Sequence, residues 1–534
     1  MELSPSAHAD TFCRDNLPPA QQWPILRFDL PELKYPERVN CAAALLDDVV
    51  AEHGPDRPCL LSPDASWTYG DLLTCANQVA RVLTEDLGLV PGSRVLLRGP
   101  NNPWLVACWF GVLKAGGVVV TTLPMLRSIE LEPLTKLTRP AMLLCDHRFT
   151  EELASAAPDL PLIQYGGPAA GDLAERCVAK AGSFRNVETS ADDVALLAAT
   201  SGTTGVPKAT MHFHRDVLAV ADTFGRHLVQ GEPDDVFTGT PPLAFTFGLG
   251  GLVVFPLRVG ASVLLLEKAT PPELADAVAK YGATMLFTSP TAYKAMLRAG
   301  KADALSSLRR AVSAGEHLPK AVWEEFHSKT GVRLIDGIGS TEMLHVFVAA
   351  ADGSIRPGAT GVSVPGYRAK VIGPDGRSVP DGTPGRLAVI GPTGCRYLAD
   401  PRQAEYVQDG WNITGDTYIR DADGYLWYQG RSDDMIVSSG YNISPAEIEH
   451  ALEQHPDVVE CAAVGKPDSE RGMVVHAAVV CRDGATAGIA DLQDFMKQQM
   501  APYKYARSIE FVDRLPRTAT GKVQRFRVRA GVAQ

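Results

Sequence analysis

Two rhythms of apolar and polar residues alternate along this chain. Leu72, Leu73, Ala76, Val79, Ala80 and Leu83 recur at the three-and-four spacing of a helix with one buried face. Arg94 to Leu97 is a short apolar strand. Trp104 to Lys114 predicts a buried helix, ended by Gly116-Gly117. A strand over Val118 to Leu123, a helix over Ile129 to Leu137 and a strand over Ala141 to Cys145 follow. Strands that alternate with helices predict a parallel sheet covered on both faces. The rhythm returns with strands at Val236 to Gly239, Ser262 to Leu266, Thr284 to Thr288, Arg310 to Ser313 and Arg333 to Asp336. Helices fall between them, as at Pro272 to Tyr281 and Lys320 to Lys329. The pattern predicts an α/β protein whose large N-terminal domain holds two doubly wound sheets. Such sheets bind ligands beyond the carboxyl ends of their strands.

Elsewhere the texture changes. Residues 1–40, with Pro18, Pro19, Pro24, Pro31 and Pro36, predict an extended arm over the surface. From Gly361 to Ile419 short β segments alternate with Gly/Pro turns, as in a small barrel or distorted sheet. A boundary near Arg431-Ser432-Asp433-Asp434 divides the chain into residues 1–432 and 433–534. The second part reads as a small α+β domain. Ser444 is the N-cap of its first helix, Pro445 takes the first helical position and Glu447 completes a capping box. Val458 to Val464 and Val474 to Cys481 are strands, and Leu492 to Met500 is a helix.

Composition narrows the function class. At 534 residues the chain is longer than one core usually serves. Lys and Arg number 51 against 62 Asp and Glu, a net charge of −11 that disfavours nucleic acid or an anionic membrane as partner. The ten cysteines include no C-x-x-C pair, so reduced cytosolic thiols are expected, not zinc or a disulfide framework. The opening lacks the basic and apolar regions of a signal peptide, and no run reaches the length of a membrane span. A soluble, cytoplasmic protein is expected.

The stretch Thr200-Ser201-Gly202-Thr203-Thr204-Gly205-Val206-Pro207-Lys208 carries the first chemical signal. Glycine lets a backbone wrap a phosphate closely with its N–H groups inward. The hydroxyls add donors and Lys208 adds a cation. It is not a Walker A loop, because Pro207 precedes the lysine and Ala209 to Phe213 reads as a strand. Two glycine-rich turns, Ser313-Ala314-Gly315-Glu316 and Asp336-Gly337-Ile338-Gly339-Ser340-Thr341-Glu342, lie at predicted strand ends. Glu342 alone reads as a surface helix cap; beside a phosphate loop it reads as a ligand for Mg²⁺. Asp416, after a tight turn, suits a ribose or an Asx turn equally. Lys522, in a polar loop, matters only if another domain presents a phosphate to it. His345 lies one helical turn after Glu342, near the same strand ends. Phe245, Phe247 and Phe255 are core aromatics or the walls of an aromatic pocket. His212 and His214 read as structural.

Together these pieces resemble the adenylate-forming superfamily of acyl-CoA and aryl-CoA synthetases, adenylation domains and beetle luciferases. The motifs Thr200 to Lys208, Gly339 to Glu342, Thr414-Gly415-Asp416, Gly430 to Ile436 and Thr520-Gly521-Lys522 fall in the family's order. Ile338 departs from it, because a tyrosine is common there. Pro241 to Gly248 and Gly339 to His345 look like the benzoate branch. The opening, from Ser6 to Pro24, is similar to 2-aminobenzoate–CoA ligases.

The resemblance implies an AMP-forming ligase that converts an aromatic acid to its adenylate with Mg·ATP and then transfers it to coenzyme A. It implies that Thr200, Ser201, Gly202, Thr203, Thr204, Gly205 and Lys208 hold the β,γ-phosphates. Thr341 would contact the α-phosphate and Glu342 the Mg²⁺. Glu316, Asp336, Gly337, Asp416 and Arg431 would bind the nucleotide, the last two at the ribose. Lys522 would bridge carboxylate and α-phosphate. Asp433 would be the hinge of a mobile C-terminal domain, and Gly440 would open the CoA channel. Thr246, Phe247, Phe255, Ala314, Gly315, Ile338, Gly339 and His345 would form the acid pocket. 2-Aminobenzoate is the expected acid. Benzoate, hydroxybenzoate, or loading of an acyl carrier protein by a stand-alone adenylation enzyme are the alternatives. A homodimer fits this reading; nucleic acid and membrane do not.

Overall fold

The computed structural model describes residues 3–168, 170–201, 207–431, 436–443, 445–516, 523 and 525–531. The first α/β sheet has six strands, in the order Leu162–Tyr165, Met142–Asp146, Arg94–Arg98, Val118–Thr122, Val194–Ser201, Pro207–Phe213. All neighbours are parallel except the last pair. The three strands Arg94–Arg98, Val118–Thr122 and Met142–Asp146 are buried on both faces, so their Val/Leu runs do not alternate. The helix Pro103–Lys114 packs beneath them. Asn102 caps it, accepting from the Leu105 amide at 3.0 Å, and every residue but Trp104 is buried.

The second sheet has nine strands. Its parallel centre comprises Leu334–Gly339, Arg310–Ser313, Met285–Thr288, Val236–Gly239 and Ser262–Leu264. The strand Pro58–Leu61 extends it in parallel, and Ser66–Thr68 closes that edge antiparallel. These two strands precede the first sheet in the chain yet belong to the second, so the sheets are not two consecutive halves. One large apolar cluster, from Cys41 to Leu426, fills the space between the layers.

Between Arg368 and Arg431 five antiparallel strands form the small curved sheet expected from the Gly/Pro texture. The proline-rich arm is pinned by scattered polar contacts, among them the Ser4 and Ala7 amides to Asp192 and Asp193. The last part builds its own core from Ile436, Ile443, Ile448, Val475, Val479, Leu492 and Met496. It comprises the hairpin Ile436–Ser438/Tyr441–Ile443, a sheet of Val458–Asp468, Gly472–Cys481 and Ser508–Phe511, and the helices Pro445–Glu453 and Ile489–Gln499. Ser444 lies outside the described residues. The capping box expected of Ser444 and Glu447 therefore lies outside them too; Glu447 Oε1 accepts from the Lys504 ammonium, 2.5 Å away.

Candidate active site

A cavity of about 1350 Å³ opens where the strand ends of the large domain meet the C-terminal unit. Thr200, Lys208, Thr246, Phe247, Ala314, Gly315, Gly339, Thr341, Glu342, His345, Asp416 and Gly440 all lie on its wall. Residues separated by more than two hundred positions thus meet around one space. Gly202, Thr203, Thr204, Gly205, Asp433 and Lys522 lie outside the described residues.

Lys208 leaves the edge strand Pro207–Phe213, antiparallel to Val194–Ser201, with Thr200 its register partner. Its ammonium sits 3.0 Å from Glu342 Oε1. The Tyr397 hydroxyl donates to the same oxygen at 2.5 Å and is also bonded to Lys208. Lys208 lies over the Tyr397 ring as well, 4.4 Å from its centroid. Burial alone would raise the Glu342 carboxyl. The Lys208 charge and the Tyr397 hydrogen bond overcome that and hold it at about 2. Glu342 is therefore ionised throughout the physiological range. Among the described residues no group of three His, Cys, Asp or Glu could cage a metal. One ionised carboxylate, Glu342, would suit Mg²⁺ delivered with a nucleotide better than a metal caged by the protein alone.

Thr341 is held from beneath. His212, read from sequence as structural, is fully buried, and its Nε2 donates to the Thr341 carbonyl at 2.8 Å. Burial, then the nearby Arg396, lower its pKa to about 3, so it is neutral. Arg396 pairs with Asp216, both without solvent exposure, and stacks on Phe213 at 4.0 Å. Ser340 lies 3.3 Å from the Tyr406 hydroxyl. Sequence reasoning missed Tyr397, Tyr406 and Arg396, because an isolated Cys395-Arg396-Tyr397 gives no sign of which distant carboxylates it will meet.

Asp416 stands in register with Arg431 on adjacent strands. Glu316, Asp336 and Gly337 do not line the cavity. The Thr291 hydroxyl donates to Glu316 at 2.5 Å, and burial raises this carboxyl against hydrogen bonds from Thr291 and the Gly440 amide. Asp336 borders a separate small cavity, with its pKa pushed well up by burial. Phe255 and Ile338 also sit behind the wall, not on it.

At the inner end of the cavity His345 occupies a box of aromatic rings. Phe255 meets it edge-on at 4.6 Å, with Phe224 at 5.3 Å and Phe247 at 5.7 Å. Gly250 makes room, since a Cβ there would lie 2.3 Å from the imidazole. His345 is 2% exposed, and the Phe247 backbone is the polar group that approaches its ring, too poorly aligned to be a full hydrogen bond. Burial lowers its pKa to about 3, leaving it neutral.

Gly440 sits at the tip of its hairpin with φ of +81°, and Ser439, Gly440 and Tyr441 all reach the cavity. The left-handed backbone there favours glycine. A Cβ on Gly315 would lie 3.6 Å from Gly440 Cα.

The profile of the AMP-binding enzymes matches residues 46–397, and that of their C-terminal domain residues 447–522. This chain belongs to the AMP-binding enzyme family. A benzoate–CoA ligase of Thauera aromatica is 34% identical over 513 residues, covering 94% of this chain and 97% of its own length. A 4-hydroxybenzoate–CoA/benzoate–CoA ligase of Rhodopseudomonas palustris is 33% identical, covering 92% and 94%. Among solved structures, an anthranilate CoA ligase in complex with anthranoyl-AMP superposes with a TM-score of 0.74 at 33% identity, covering 94% of this chain and 99% of that one. The expected class stands: an AMP-forming aryl-CoA ligase that uses ATP and CoA. No described helix is long and apolar enough to cross a membrane.

Proposed function

We propose that the acid is 2-aminobenzoate. Its carboxylate attacks the α-phosphorus of ATP, forming the acyl-adenylate and expelling pyrophosphate. The CoA thiol, losing its proton, then attacks the acyl carbon and expels AMP. A carboxylate is a poor acyl donor, and AMP makes it a good one without a protein nucleophile. The protein's share is positioning and charge neutralisation. Lys208 draws phosphate oxygens, and Asp416 suits the ribose hydroxyls. Mg²⁺ bound with the nucleotide would neutralise phosphate charge beside Glu342. Lys522, by family resemblance, meets the carboxylate and α-phosphate in the first half-reaction. ATP and CoA as substrates suit a cytoplasmic enzyme.

The observation that carries the choice of acid is the neutral, buried His345 imidazole in its box of phenylalanines. A flat ring fits beside Phe247, and an ortho amino group is a donor for the imidazole nitrogen that carries no proton. The structural neighbour crystallised with anthranoyl-AMP supports the same reading. The benzoate-named relatives favour unsubstituted or hydroxylated rings as the competing reading. Pyrophosphate release should be measured for 2-aminobenzoate, benzoate, 3- and 4-hydroxybenzoate and hexanoate. We expect 2-aminobenzoate to lead benzoate by roughly tenfold in kcat/KM, and His345→Ala to erase that lead. Equal efficiencies that His345→Ala leaves equal would overturn the choice.

A further inference from the structure

We propose that Lys504 is a positioning residue for thioester formation, clamping the C-terminal unit in the orientation that puts Gly440 on the cavity wall. This rests on the ligase reading and its two half-reactions. Lys504 is 4% exposed. Its ammonium lies 2.5 Å from Oε1 of Glu130, in the large domain, and 2.5 Å from Oε1 of Glu447, in its own unit.

Glu130 serves both sides of the seam. It is the third residue of the helix Ser128–Thr138, and its Oε2 accepts from the Arg127 amide at 3.0 Å, capping that helix. The same Oε2 accepts from the Ala501 amide, also at 3.0 Å, across the seam. Next to this clamp Tyr503 stacks on Tyr441 at 4.1 Å, and Tyr441 sets its edge to Phe245 of the large domain at 5.8 Å. Lys504 and Glu447 border the cavity that Gly440 also lines.

The three groups divide their tasks by where they sit. Glu447 and Lys504 belong to one unit and stay together however it is oriented, so the buried cation is never left alone. Glu130 is the exchangeable partner. Presenting any other face of the C-terminal unit to the cavity must part Lys504 and the Ala501 amide from Glu130. Glu447 and Glu130 both face the one ammonium, so removing the lysine leaves two neighbouring carboxylates without the cation between them. Three hydrogen bonds across or beside one seam therefore favour the orientation used when sulfur attacks, and none of them touches the reacting atoms.

The test separates the half-reactions on the full chain. ATP–pyrophosphate exchange with an aryl acid and no CoA reads adenylation. Thioester formation from supplied aryl-adenylate and CoA reads the second step. Lys504→Met should lower the second rate on the order of 100-fold and Glu130→Gln roughly tenfold, with exchange held near wild type. Lys504→Arg, whose guanidinium can span two carboxylates, should restore most of the loss. Hydrogen exchange in peptides covering residues 498–505 gives a reading independent of catalysis: Glu130→Gln should speed it severalfold. Unchanged hydrogen exchange, or equal loss in both half-reactions for both variants, overturns the clamp. Wild type that shows no pyrophosphate exchange with any aryl acid overturns the ligase reading instead, and leaves the hydrogen-exchange result to decide the clamp.

Discussion

Tyr397 sits between a cation and an anion. Its hydroxyl touches both Lys208 and Glu342, which are themselves 3.0 Å apart. This triangle keeps a buried carboxylate ionised; under the proposed scheme Lys208 would turn to phosphate when Mg·ATP binds, and Glu342 would hold the metal carried with it. Without the hydroxyl, the two charges have only each other. Mg·ATP must then separate a tighter pair, and the carboxylate loses a donor worth about 1.5–3 kcal/mol. Tyr397→Phe is thus expected to raise KM for Mg·ATP by roughly tenfold while leaving KM for the acid unchanged. Steady-state kinetics at varied Mg·ATP checks it. A lower melting temperature with an unaltered KM would reduce Tyr397 to a packing residue. The variant's Glu342 pKa rises, because the hydrogen bond favoured the charged form. Starting from about 2, a modest rise still leaves it ionised at neutral pH, so the pH–rate profile between 6 and 8 should not change shape.

At the level of elements, the hairpin Ile436–Ser438/Tyr441–Ile443 carries the most exacting position. Gly440 has positive φ, and Ser289 Cβ lies 3.9 Å from where its own Cβ would stand. A small side chain therefore finds space but pays about 1–2 kcal/mol in backbone strain, less for Asn. A branched one projects toward the cavity. We expect Gly440→Asn to keep both half-reactions and Gly440→Leu to lose thioester formation by ~100-fold with adenylation largely intact. Equal losses in Gly440→Leu would remove Gly440 from the CoA path. The glycine itself was legible in the sequence, but only through family resemblance. Much of the fold was legible from rhythm alone: the strands Arg94–Arg98, Val118–Thr122 and Met142–Asp146 and the helix Pro103–Lys114 lie within a residue or two of where the apolar runs put them. The membership of Pro58–Leu61 in the second sheet was not, because a strand's local pattern says nothing about a partner such as Ser262–Leu264 two hundred positions on. The same limit hid the layer under the site. His212 has the pattern of a structural histidine, and only the fold shows that the group it satisfies is the Thr341 carbonyl. Lys504 reads as an ordinary lysine until Glu130, 374 positions earlier, is brought to it.

Across the whole molecule, the two half-reactions ask for different things at one place. The first needs a cation where carboxylate and α-phosphate meet; the second needs an open path for the pantetheine arm to that spot. A rigid wall cannot supply both. Under the proposed scheme the orientation described here answers the second demand, with Ser439, Gly440 and Tyr441 on the wall and Lys504 fastened to Glu130. Under the proposed scheme the first demand falls to Lys522, brought in by another orientation of the same unit about Asp433. The two lysines should then behave as opposites. Lys522→Ala is expected to lose ATP–pyrophosphate exchange by a factor on the order of 1,000, about 4 kcal/mol, while still passing a supplied aryl-adenylate to CoA at close to the wild-type rate. Lys504→Met is expected to do the reverse. Adding Lys504→Met to Lys522→Ala should leave neither step, yet it should not deepen the adenylation defect, because releasing the clamp only eases access to an orientation whose cation is already gone. Both assays on the two single variants and the double variant decide it. If Lys522→Ala loses both steps equally, a single fixed arrangement serves the whole reaction and the alternation between faces is wrong.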